Sequence, residues 1–123
     1  MEPFIGTIMA FAFDHEPQGW MKCDGRLLPI EKYQALFALI STTYGGDGVK
    51  TFALPDLRGR TTVGMGRGTE RQALDRGKTT KPQVLDVARA APNTPVAQVE
   101  FPSPAIGLNY CIAVVGLWPA QQS

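Results

Sequence analysis

Histidine occurs once and cysteine twice in these 123 residues. With His15 alone, a histidine-based transition-metal site within one chain is excluded. Cys23 and Cys111 form no C-x-x-C pair, which excludes a disulfide scaffold and a thiolate zinc site. Both lie in apolar, strand-like stretches where a thiolate is disfavoured, so neither suits a nucleophile. Spacing leaves open whether they pair, and two buried free thiols are the simpler state. The apolar run from Phe4 to Phe13 has ten residues, about half of a membrane span. Met1-Glu2-Pro3 lacks the positive start of a secretory signal, so no signal peptide and no membrane insertion are expected.

Charge is also sparse, at 19% of residues with a net +1, and it is unevenly placed. Residues 1–57 carry a net −3, residues 58–89 a net +5, and residues 90–123 a net −1. The basic middle can meet a phosphate-bearing polymer or the acidic half of this chain or a neighbour. Few aromatics interleave its arginines, as stacking on nucleic acid requires, so the second option fits better and no nucleic-acid partner is expected.

What the chain has in excess is glycine and proline, thirteen and ten. These predict many turns and long irregular connections rather than a helical bundle. Residues 4–13 and 20–25 read as strands, able to form a hairpin with a long loop. Residues 27–29 read as a connector. Ile30, Tyr33, Leu36, Phe37 and Ile40 recur at helical spacing, predicting a helix over 30–42, with Pro29 at its start and Gly45 and Gly46 past its end. Strands follow at 51–54, at 61–66 and at 109–118, with a helical turn or short strand at 84–91. Half of the prolines fall in 67–104, which predicts an extended arm or long surface loop. The fold class expected is α+β: a small single domain, 1–123, with a mixed or antiparallel sheet, one main helix and long irregular segments. Its core is 1–66, its arm 67–104 and its terminal core strand 105–119.

No stretch carries a catalytic signature. Gly77-Lys78-Thr79 resembles the end of a nucleotide-binding loop, but Gln72 stands where the leading glycine belongs. Residues 64–68, GMGRG, are followed by Thr69 and by no βαβ unit, so they are no dinucleotide fingerprint. Asp24, Asp47 and Asp56 are not spaced as an EF-hand. The stretch 45–60, GGDGVKTFALPDLRGR, reads instead as a rigid corner. Gly45, Gly46 and Gly48 admit backbone closed to other residues, Pro55 stiffens the exit, Asp56 bonds local N–H groups, and Arg58 and Arg60 offer planar forks. No enzyme, cofactor or metal is expected.

Several motifs in fixed order, GW-x-x-CDG at 19–25, LLPI at 27–30, ALF at 35–37, TTYGGDG at 42–48, TFALPDLRGR at 51–60 and LNYCIAVVG at 108–116, strongly resemble the phage tail-collar family. That family includes the bacterial "microcystin-dependent" proteins and the collar regions of short tail fibres. The likeness spans 3–64 and 102–119. It implies a non-enzymatic structural component of a phage tail fibre, collar or baseplate, made in the bacterial cytoplasm and carried in the virion. It further implies a homo-oligomer, trimer favoured, with other tail or baseplate proteins as partners. The matching positions, Trp20, Cys23, Asp24, Gly25, Gly45, Gly46, Asp47, Gly48, Pro55, Asp56, Leu57, Arg58, Gly59 and Arg60, are expected to be structural. Relatives carry a histidine-containing insertion that in some fibres binds metal between subunits; residues 67–101 here hold no histidine. The alternative is a receptor-binding fibre tip that attaches to host glycan or lipopolysaccharide through Arg67, Arg71, Arg76, Lys78 and Trp118.

Overall fold

The computed structural model describes residues 2–65, 75–79, 84–86, 98–100 and 105–121. The elements are β1 (Ile8–Phe11), β2 (Trp20–Lys22), β3 (Leu27–Pro29), α1 (Gln34–Ile40), β4 (Thr51–Ala53), β5 (Val84–Asp86), β6 (Gln98–Glu100) and β7 (Asn109–Ala113). By contacts the chain forms two units, Met1–Gly77 with Leu108–Ser123, and Lys78–Gly107. Among the described residues, one helix among short antiparallel strands is the α+β class expected from the sequence.

The principal sheet of the first unit runs β1-β7-β2, all antiparallel. This corrects the hairpin expected between 4–13 and 20–25: the C-terminal strand lies between them. Cys111, Ile112 and Ala113 of β7 are all buried, so that strand needs a neighbour on each side. The strands are also shorter than the apolar runs. A turn with Gly6 at φ +90° precedes β1, and bends follow it from Ala12.

A second ladder pairs β3 with β4, setting Leu28 opposite Phe52. The sequence reads 27–29 as a connector, because three residues give no periodicity to detect. The helix is shorter than the apolar spacing predicts, 34–40 instead of 30–42. At its start, the Ile30 N–H donates to the Lys50 carbonyl and so serves the β3–β4 side, while Pro29 O accepts from Lys32 and Tyr33 in a tight turn. At its end, Ser41 takes φ +48° and donates its N–H to Phe37 O.

Phe52, Leu54, Leu36, Ile112, Cys23, Leu28 and Ile40 form the buried core, where α1, the β3–β4 ladder and the principal sheet meet. No buried side-chain polar atom lacks a partner among the described residues. Residues 61–65 form no strand, contrary to expectation, and every one is exposed. In the second unit β5 pairs antiparallel with β6, Val84 opposite Glu100. Of the two options for 84–91, residues 84–86 take the strand, and 87–91 lie outside the described residues.

Candidate functional site

The stretch 45–60 builds two hydrogen-bonded devices. The first is a loop gathered on one carboxylate. Asp47 Oδ1 accepts the backbone N–H groups of Val49, Lys50 and Thr51, each at 2.9 Å. Gly46 and Gly48, at φ +94° and +73°, bend the chain around it. Gly48 N–H then donates to Thr51 O at 2.9 Å, and Ala53 N–H to Gly45 O at 3.0 Å, seating the loop on β4.

The second device is a paired clasp. Gly25 N–H donates to Pro55 O at 3.2 Å and Leu57 N–H to Cys23 O at 3.0 Å. These bonds flank an antiparallel bridge that sets Asp24 opposite Asp56 in the narrow, non-hydrogen-bonded position. Like charges so placed repel. Each is answered by the arginine two residues on. Asp24 accepts from the Arg26 N–H, Nε and Nη2 at 3.2, 3.0 and 2.9 Å. Asp56 accepts from the same three groups of Arg58 at 3.2, 2.9 and 2.9 Å. The Arg60 Nη1 donates to Asp56 O at 2.7 Å, and Arg26 also reaches Glu16 at 2.7 Å. Gly25 is required here: at φ +79°, a Cβ would stand 3.1 Å from Asp56 Cβ. Sequence alone does not find this symmetry, although C-D-G-R at 23–26 and P-D-L-R at 55–58 carry the D-x-R signal. Exposed ion pairs of this kind contribute little stability, so the clasps fix orientation.

These contacts shift the carboxylates. The three backbone donors hold Asp47 down at about 2. The bidentate Arg58 holds Asp56 down at about 2, and Arg26 lowers Asp24. A depressed carboxylate adds stability in full above its ordinary value near 3.8, and that stability disappears as pH falls through the folded value near 2. The urea midpoint is therefore expected to stay level from neutral pH to about 5 and to drop between about 4 and 2. Asp47→Asn should flatten part of that drop in urea titrations at stepped pH.

The thiols are free and buried. Burial pushes Cys23 up to about 12, with Cys111 and Asp24 adding to the rise, and burial also raises Cys111. Trp20 is half-buried, its ring edge-on to Phe11 at 5.3 Å. Beside it a shallow groove of about 470 Å³ runs between β2 and the start of α1, lined in part by Met21, Lys32, Tyr33 and Val115.

The candidate partner residues separate. Arg76 Nη1 donates to Leu39 O at 3.1 Å, at the end of α1, so this arginine holds its own segment to the helix. Lys78 is exposed, and Trp118 is 52% exposed. Arg67 and Arg71 lie outside the described residues. Among the described residues no group of three His, Cys, Asp or Glu side chains is placed to hold a metal, and no helix is long and apolar enough to cross a membrane.

The carboxylates of these two devices are held by backbone N–H groups and arginines of the same chain. Residues 6–62 match the family described as Phage Tail Collar Domain. No curated protein matches the chain at a significant level.

Proposed function

We propose that the chain is a non-enzymatic structural subunit of a phage tail fibre, collar or baseplate, working in the virion as a homo-oligomer, trimer favoured, docked to other tail proteins. The observation that supports it most is the surface. Phe4, Ile8, Met9, Phe13, Leu117 and Trp118 are all exposed, and a bridge pairs Phe4 with Leu117. Exposed apolar side chains that the fold brings together, as it does Phe4 and Leu117, mark interaction sites. The motif residues Asp24, Asp47, Asp56, Arg26 and Arg58 hold the local chain path.

Light scattering coupled to gel filtration tests the assembly. A defined oligomer that binds other tail proteins and ignores host cells is expected. Reversing charge at Arg71, Arg76 and Lys78 should alter assembly and leave cells unbound. Adsorption to host cells that is lost on that reversal, together with block of infection by free protein, would establish the receptor-binding tip instead.

A further inference from the structure

Of the aspartates in the chain, Asp24 and Asp47 are each followed by glycine. That pairing has its own chemistry. The nitrogen of the following residue, on losing its proton, attacks the aspartate Cγ. If the carboxyl is neutral, its hydroxyl leaves as water with that proton, and a cyclic imide closes. Water then opens either imide carbonyl. One opening restores aspartate. The other gives isoaspartate, in which the backbone runs through Cβ and Cγ and the carboxylate sits on Cα. One water leaves and one returns, so neither mass nor oxidation state changes. Glycine makes the step fast because no Cβ shields its nitrogen. Asp14, Asp56, Asp75 and Asp86 precede His15, Leu57, Arg76 and Val87, which all carry one.

At both positions the fold engages the nucleophile and the electrophile. Gly25 N–H donates to Pro55 O at 3.2 Å, and Gly48 N–H to Thr51 O at 2.9 Å. A nitrogen whose proton rests on a carbonyl loses it with difficulty, because the anion left behind faces that oxygen. The carboxylates are held as well. Arg26 grips both oxygens of Asp24 through Nε and Nη2, at 3.0 and 2.9 Å. Asp47 Oδ1 takes the three backbone N–H groups of Val49, Lys50 and Thr51. Ring closure surrenders these bonds, because the reacting carboxyl is neutral and loses its hydroxyl. Asp47 is held at about 2, so at neutral pH its neutral fraction lies about tenfold or more below that of an ordinary aspartate. Arg26 lowers Asp24 in the same direction.

We propose that the Asp24–Gly25 and Asp47–Gly48 linkages are latent isoaspartate sites, the first silenced by the clasp and the second by the loop on Asp47, and that each reacts when its own device opens. Conversion then prevents closure. At position 47 the carboxylate moves onto Cα, one carbon short of the reach by which it gathers Val49, Lys50 and Thr51. At position 24 the extra backbone carbon shifts Gly25 from Pro55 O and Arg26 from its carboxylate. The bonds that silenced the site are not remade, so a transient opening becomes a permanent loss of the corner. The chemistry needs only this chain and water.

Peptide mapping of the full chain, aged at neutral pH and physiological temperature, tests each site separately, with electron-transfer fragmentation to tell isoaspartate from aspartate. Synthetic peptides covering 19–29 and 42–53, which lack both devices, give the unrestrained rates. In the intact chain both sites should accumulate isoaspartate about tenfold more slowly or less than in the peptides. Arg26→Gln removes an ion pair that is partly exposed and adds little stability. It should raise the rate at Asp24 towards that of the peptide and leave Asp47 unchanged. Should that variant fail to fold by circular dichroism, Arg26→Lys, which keeps the charge and loses the bidentate grip, is read the same way. The donors to Asp47 are backbone groups, so its site is opened by stepped urea below the unfolding transition. Isoaspartate there should rise in step with amide exchange of Val49, Lys50 and Thr51. Peptide-like rates at either site in the folded chain overturn the proposal for that site. So does a folded Arg26 variant whose Asp24 stays as slow as in the parent, or an Asp47 rate that ignores the opening of its loop.

Discussion

Phe52→Ala should lose about 3–5 kcal/mol of stability, enough to leave a domain of ordinary stability near or past its unfolding threshold at room temperature. Phe52 is fully buried. Its backbone pairs with Leu28 across the β3–β4 ladder, and its ring tilts against Phe37 at a centroid distance of 5.4 Å. Truncation removes apolar surface from helix and ladder together and leaves a void that the short surrounding elements fill poorly. Urea unfolding followed by tryptophan fluorescence should show a lower midpoint with the slope unchanged, the sign of a stability change rather than a change in the unfolded state. Phe52→Leu, which keeps most of the volume, should lose about 1.5 kcal/mol or less. Phe13→Ala, at an exposed aromatic, should stay within about 0.5 kcal/mol in the isolated chain. A Phe52→Ala protein as stable as the parent would mean that the core is not organised around this ring.

The parts legible in the sequence are those that chain-local chemistry decides. Glycine at positive φ, an aspartate beside backbone N–H groups, and apolar anchors at Phe52 and Leu54 fix the 45–60 corner within sixteen residues, and the motif order across 19–60 is specific enough to point to the collar domain. What sequence could not supply is long-range. Whether 4–13 pairs with 20–25 or with 109–118 is settled by which strand can be buried on both flanks, and all three are similarly apolar. Helical spacing overstates the helix because Ile30 fits a helical stripe equally well whether it begins the helix or closes the β3–β4 turn with Lys50. The Arg76 bond to Leu39 O is equally invisible in the sequence, because a basic cluster does not reveal a carbonyl thirty-seven residues away. The strand expected at 61–66 has the right residues, but strand propensity acts only through pairing, and 61–65 pairs with no described strand.

Gly46→Ala is expected to lose about 3 kcal/mol or more, and comparison with Gly59→Ala isolates the reason. Both glycines hold positive φ, +94° and +68°. An alanine at either position meets the conformational penalty of about 1–2 kcal/mol, partly offset by the stiffer unfolded chain. Around Gly59 a Cβ finds nothing within 4 Å, so that penalty is the whole effect. At Gly46 the Cβ would run into the Cα of Phe52, with Thr51 O at 2.7 Å and Phe52 N at 2.9 Å. These are backbone atoms of β4, and no rotamer change relieves them. The loop has to lift from the strand, which strains the Gly48-to-Thr51 and Ala53-to-Gly45 bonds and the three donors gathered on Asp47. Paired urea titrations give the steric part as the difference between the two variants, and amide exchange should show the Val49, Lys50 and Thr51 protons losing protection in Gly46→Ala alone. Equal effects at the two positions would mean that the loop can move away from β4 freely, and a corner that moves freely cannot hold the chain path on which the collar surface depends.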